Sequence, residues 1–328
     1  RVAHARRPAW GIVGFVDAPA LEAIELTKRF GDAVGVEGVS LTVETGERLG
    51  FLGPNGAGKT TFIRLALGLL RPSGGRVSVG GHDLAGDRMA ALAGVGYLPG
   101  ELGLFGALSG ARTLDLLARL HPRPPVLREE LLDMLELGSA DLRRPVREYS
   151  RGMKQKVGLA AALQHDPPLA ILDEPTGGLD PVVQSRLLEW LSGWAVDGRT
   201  LLFSSHVLTE VEAICDRVAM VREGRLLLVG PVARLRAEAR RSVEVRYREP
   251  VAPDVYGGVD LRALEIDGLV HRFALAGDPA TLLRILSGLP VADVSIERPR
   301  LEDIFRDLYL GGAPPRLEED PAPAEVAG

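Results

Sequence analysis

The residues best suited to chemistry fall in three short segments, each at the end of an apolar run. In the first, Gly53-Pro54-Asn55-Gly56-Ala57-Gly58-Lys59-Thr60, then Thr61, follows Arg48-Leu49-Gly50-Phe51-Leu52 and opens a helical pattern. Gly-x-x-x-x-Gly-Lys-Thr is the spacing of a phosphate-binding loop. Its glycines let backbone N–H groups converge on phosphate oxygens, and the helix N-terminus adds its dipole. Lys59 supplies a cation for the β- and γ-phosphates of a nucleotide, and the Thr60 hydroxyl a ligand for Mg²⁺. An ordinary glycine turn before a helix requires neither the Lys nor the Thr.

The second segment is Leu169-Ala170-Ile171-Leu172-Asp173-Glu174. Four apolar residues leading into two carboxylates are costly unless the acids emerge toward something cationic. In that setting Asp173 would hold Mg²⁺, directly or through water, and Glu174 would polarise an attacking water. A buried strand ending in an acidic turn has the same pattern. The third is Leu201-Leu202-Phe203-Ser204-Ser205-His206. A lone His after a strand is usually structural; here it would sense or orient the γ-phosphate and the attacking water. All three segments end at the C-terminal edge of a strand, where open α/β sheets bind ligands.

These segments need a sheet to hold them. Strand-like alternation runs through Ala23–Thr27 and Val39–Val43, and Arg76–Gly81 forms another short strand. The run Thr61–Leu70 is apolar nearly all round and predicts a buried helix that stops at Pro72. Helical patterns fill Thr113–Gln164, broken at Pro122-Arg123-Pro124-Pro125, and Leu208–Cys215 is also helix-like. Strands alternating with helices imply an α/β fold with a largely parallel sheet covered on both faces.

The character changes near Arg240. Ser242–Tyr247 and Val270–Leu275 alternate as strands, and Ala280–Leu286 and Leu301–Leu310 as helices, which predicts a small α+β accessory domain over 241–311. Residues 312–328, rich in Pro, Ala and Glu, read as a disordered tail, and 1–20 as a flexible extension rather than a signal peptide.

With 328 residues there is room for one large domain and one small one. A net charge of −5 leaves no basic footprint, so nucleic acid is not an expected partner. Cys215 is the single cysteine, which excludes an internal disulfide and fits a reducing compartment. No apolar run reaches the ~18 residues needed to span a bilayer.

The order of the motifs resembles the ATP-binding subunit of ATP-binding-cassette (ABC) transporters over roughly 21–238. The distinguishing segment is Tyr149-Ser150-Arg151-Gly152-Met153-Lys154-Gln155, about twenty residues before Asp173. It departs from the usual Leu-Ser-Gly-Gly-Gln at the first, third and last places. As bare sequence it also fits a helix N-cap at Ser150. The resemblance implies a P-loop NTPase fold with an antiparallel β subdomain and a helical subdomain at about 107–165. It also implies that two ATP molecules, with Mg²⁺, are sandwiched between two such subunits, identical or different. Lys59, Glu174 and His206 would then act on one ATP, while Ser150, Arg151, Gly152 and Met153 complete the partner's site. Phe30 matches the aromatic that stacks on adenine, although core packing would also suit it. Gly177-Gly178-Leu179-Asp180 matches the segment linking the two sites, although Asp180 also suits a helix N-cap.

One departure stands out. Where the family has a Gln after the strand Val95-Gly96-Tyr97-Leu98-Pro99, this chain has Gly100, followed by Glu101. The resemblance, the single cassette and the C-terminal Leu301-Glu302-Asp303-Ile304-Phe305 point to the ATPase of a bacterial drug or antibiotic exporter. That ATPase would be cytoplasmic and peripheral to the membrane, serving a separate membrane permease. A non-transport relative acting on ribosomes or DNA would show two cassettes or a long heptad insertion, and neither is present. A low-turnover regulatory module has Gly100 alone in its favour.

Overall fold

The computed structural model describes residues 18–196, 198–238, 241–275 and 278–297. The helix expected at Leu301–Leu310, the tail at 312–328 and most of the extension at 1–20 lie outside them. The chain divides into two compact units between Val229 and Gly230, ahead of the compositional change near Arg240.

The first unit contains two sheets. One is antiparallel, in the order β2 (Ala33–Val43), β1 (Leu21–Phe30), β4 (Gly74–Val79), β5 (His82–Asp83). Ala18 and Ala20, at the end of the expected extension, already bond to it. Thr45 Oγ1 donates to the Ala18 carbonyl, and the Gly80 amide to that of Ala20, which is buried.

The other sheet has the order β10 (Arg225–Pro231), β9 (Arg217–Arg222), β3 (Arg48–Leu52), β8 (Thr200–Ser205), β7 (Leu169–Asp173), β6 (Val95–Leu98). The pairs β9/β3, β3/β8, β8/β7 and β7/β6 are all parallel. Parallel register sends every one of these strands toward the same rim. Strands β7 and β8 are buried at every position, which is why they read as continuous apolar runs.

Helix α1 (Lys59–Ala66) shares one core with both sheets. Phe62, Ile63, Leu65 and Ala66 pack with Leu21, Val39 and Val77 of the antiparallel sheet and with Phe51, Ile171 and Leu202 of the parallel one. Each large side chain so buried contributes about 1.5–3 kcal/mol. The helix stops at Ala66, well short of Pro72. Gly68 takes φ +61, and its amide and that of Leu69 bond back to Leu65 and Arg64. A left-handed glycine there ends the helix, and Leu69 beyond it is exposed rather than core.

Between the sheets' connections lie α2 (Arg88–Leu92) and a helical block of α3 (Gly110–Arg119), α4 (Arg128–Met134), α5 (Ser139–Arg143) and α6 (Arg151–Leu163). Two more helices, α7 (Pro181–Ala195) and α8 (Leu208–Ile214), follow β7 and β8. Cys215, at the end of α8, is buried, and burial pushes its thiol pKa up, as suits a structural residue.

The second unit opens with α9 (Val232–Glu238) and holds an antiparallel sheet in the order β12 (Leu261–Asp267), β13 (Val270–Leu275), β11 (Arg241–Tyr247), β14 (Val291–Glu297), with α10 (Pro279–Leu286). Val243, Val245, Tyr247, Phe273 and Leu275 alternate into its core with Leu282 and Leu286 of α10. Strand β12 shows no such alternation in sequence because a register shift and Ala263 at φ +52 interrupt it.

Candidate functional site

The parallel rim brings the three chemical segments together. Gly58, at φ +105, is the N-cap of α1, and a Cβ there would lie 2.5 Å from the Gly35 carbonyl. Only glycine fits this place, so the loop can turn tightly into the helix. Pro54, Asn55 and Gly56 are exposed, whereas Gly53, Ala57 and Lys59 are buried. The Lys59 ammonium donates to the Gly53 carbonyl at 2.6 Å and to that of Pro54 at 3.3 Å, and it lies 3.3 Å from Glu174 Oε1. Its three donors are thereby aimed around the loop's inner edge.

Asp173 is fully buried at the end of β7. Its Oδ2 accepts from the Thr60 hydroxyl and its Oδ1 from the Ser204 hydroxyl, both at 2.8 Å. A carboxylate buried among hydroxyl groups is poorly compensated, and Thr60 Oγ1 with Asp173 Oδ2 forms the hard-oxygen pair that suits Mg²⁺. Burial, and then the Asp173 charge, push the Tyr97 phenol above its ordinary range.

Glu174 takes φ +51, an unusual conformation for a residue with a side chain. Its amide donates to the Ser204 carbonyl, and its own carbonyl accepts from the Gly177 amide and from Gln155 Nε2 at 3.2 Å. Gln155 Nε2 also reaches the Pro175 carbonyl at 2.9 Å. These bonds hold the backbone in place. The side chain stands between Lys59 and His206, whose Nδ1 is 2.6 Å from Oε2. His206 is half exposed.

Ser150 is the N-cap of α6, its Oγ accepting from the Met153 amide at 3.2 Å. Gly152 approaches the Gly177-Gly178 turn so closely that a Cβ would lie 2.5 Å from the Gly178 carbonyl. The Arg151 side chain packs along the same turn. Asp180 caps α7 by accepting from the Val183 amide at 3.0 Å, the main cause that holds its carboxyl below the usual range. Both helix-cap readings therefore describe the local structure. Phe30 is 50% exposed, which removes core packing as its explanation. Its ring and the Thr61 methyl both lie over Gly35, whose Cβ would meet them at 2.8 and 2.9 Å, and Lys28 Nζ stands 5.3 Å from the ring centre.

Sequence reasoning assigned no role to Gln155 or Ser204. Both lie beside named motif residues, but only the fold shows that their side chains turn inward to the acidic pair.

Comparison with known proteins identifies the family. Residues 36–177 match the family model described as ABC transporter. The chain is 35% identical over 307 residues to the daunorubicin resistance ATP-binding protein DrrA3 of Streptomyces coeruleorubidus, covering 89% of this chain and 96% of that protein. It is 31% identical over 302 residues to the bacitracin transport ATP-binding protein BcrA of Bacillus licheniformis, covering 89% and 98%. A solved ATP-binding subunit of an ABC transporter superposes with a TM-score of 0.61 at 32% identity, covering 66% of this chain and 92% of that one. The chain belongs to the ABC transporter family, as one of its ATP-binding, ATP-hydrolysing subunits.

Proposed function

We propose that this subunit powers the export of a drug- or antibiotic-like compound through a separate membrane permease, by closing with a second ATP-binding subunit around two ATP molecules. The observation that carries the catalytic part is the convergence of Lys59 and His206 on the two oxygens of Glu174, beside the Thr60–Asp173 pair. Thr60 and Asp173 would hold Mg²⁺, which when bound offsets phosphate charge. Glu174 would accept the proton of the attacking water, His206 would fix the orientation of that carboxylate, and Lys59 would meet the β/γ-phosphates. Phe30 offers an exposed ring for the adenine.

The signature segment supports the shared site. Ser150 bonds to the Met153 amide of its own helix, and its exposed surface at the start of α6 is open to a partner's phosphates. The names of the two relatives support a drug or antibiotic cargo. No helix among the described residues is long and apolar enough to cross a membrane; the peripheral position at its cytoplasmic face is proposed from the likeness to transporter ATP-binding subunits.

Light scattering tests the shared clamp. Glu174→Gln with Mg-ATP should run as a dimer, and adding Ser150→Arg to that variant should return it to the monomer. A Glu174→Gln protein that stays monomeric with ATP, or whose dimer ignores Ser150→Arg, contradicts the proposal. Co-purification with a multi-span membrane protein encoded beside it tests the export role.

A further inference from the structure

One buried polar cluster at the rim plays no part in the chemistry described above. Ser205 ends β8 and Glu210 lies in the first turn of α8; they are 1% and 4% exposed. The Ser205 hydroxyl donates to Glu210 Oε2 at 2.8 Å and accepts from the Val207 amide at 2.9 Å. Glu210 Oε1 in turn accepts from Gln184 Nε2 of α7 at 2.7 Å. Val207, the N-cap of α8, offers no side-chain cap of its own.

His206 lies between Ser205 and Val207. A single hydroxyl, oriented by Glu210, therefore fixes the chain on both sides of the histidine. The imidazole itself is half exposed and hydrogen-bonds to Glu174, so its aim depends on its backbone. Burying a carboxyl group is costly, and an apolar side chain would fill the space at less cost. What Glu210 adds is two oriented acceptors.

Resting on the role given to His206 above, we infer that Glu210 is a positioning residue. Acting through Ser205, it fixes the backbone that aims His206 at Glu174. Through Gln184 it ties that loop to α7, whose N-terminal cap, Asp180, lies 3.9 Å from Lys156 Nζ of the signature helix. Movement of α7 would then reach His206 through two hydrogen bonds rather than through the nucleotide.

Three variants of the full chain test this in steady-state ATP hydrolysis. Glu210→Met fills the volume but accepts no hydrogen bond; kcat should fall about tenfold with KM for ATP within about twofold. Glu210→Gln keeps an acceptor for Ser205, and Gln184 can turn its amide to accept from the new NH₂, so kcat should return to within about threefold of wild type. Ser205→Ala should reproduce the Glu210→Met loss, and it keeps the test open if the Met variant folds poorly. Full turnover in both Glu210→Met and Ser205→Ala would overturn the inference. So would a loss in both that appears only as lowered Tm and raised KM. Glu174→Gln is the control. If it is inactive while Glu210→Met runs at full rate, this inference alone fails. If it turns over normally, the role of His206 falls and this inference falls with it.

Discussion

Nδ1 of His206 stands 2.6 Å from Oε2 of Glu174, the partner it meets across the ends of two adjacent parallel strands. The other oxygen of Glu174 lies 3.3 Å from the Lys59 ammonium. One carboxylate is thus steered from both sides, by groups that follow the ends of two other strands, β3 and β8. The neighbouring acid, Asp173, is engaged by hydroxyls instead. Adjacent residues at the end of one strand thus have different surroundings, in keeping with the proposed proton acceptance at Glu174 and metal binding at Asp173.

Gln155 should matter to turnover although it lies in the signature helix. Its amide holds the carbonyls of Glu174 and Pro175, which stabilises the left-handed backbone at Glu174. Gln155→Ala takes the side-chain donor from the buried Pro175 carbonyl and leaves the Glu174 carbonyl with the Gly177 amide alone. We expect stability to fall by about 1–3 kcal/mol and kcat by about tenfold, with ATP affinity little changed. Chemical denaturation and steady-state kinetics measure both.

Gly100→Gln should lower ATP hydrolysis without abolishing it. A Cβ at Gly100 would lie 3.2 Å from Asp173 Oδ2, so the neighbour must yield by a few tenths of an ångström. Because Asp173 Oδ2 also receives the Thr60 hydroxyl, the crowding should show as a several-fold higher Mg²⁺ requirement. An inactive but folded variant would mean that the glycine backbone itself is needed.

Stability should fall as pH drops below about 6.5, partly through His121. Its ring stacks on that of His165 with centroids 4.0 Å apart. Burial, then the neighbouring His165, lowers its pKa to about 4. The Arg123 amide donates to its Nδ1, which fixes the neutral form. In the folded state the ring stays neutral at a pH where the unfolded chain takes up a proton. The contribution is therefore present above pH 6.5 and lost progressively toward pH 4. Allowing for partial solvent screening, it is about 1–2 kcal/mol. Denaturation curves at pH 7 and pH 5 should differ less for His121→Phe than for wild type.

The sequence made the rim legible because its strands are buried on both faces and end abruptly in polar residues. Lys59, Thr60, Asp173, Glu174 and His206 were each marked by that transition, and parallel pairing brings them together. Gln155 and Glu210 were hidden for the opposite reason. Each sits in a helix, where a polar residue ordinarily faces solvent, and only the packing of α6 and α8 turns it inward. The end of α1 was misjudged because Pro72 was the stronger breaker in sequence, while Gly68 acts earlier. Strand β12 was missed because its bulge erases the period of two.

The most direct test of the central claim is ATP hydrolysis by Glu174→Gln, measured beside its affinity for ATP. The amide preserves the shape and the contact with His206 but removes the proton acceptor. Turnover should fall by about 10²-fold or more, with ATP bound at least as tightly as in wild type. Hydrolysis at an undiminished rate would contradict the account, since the water would then be activated by some other group.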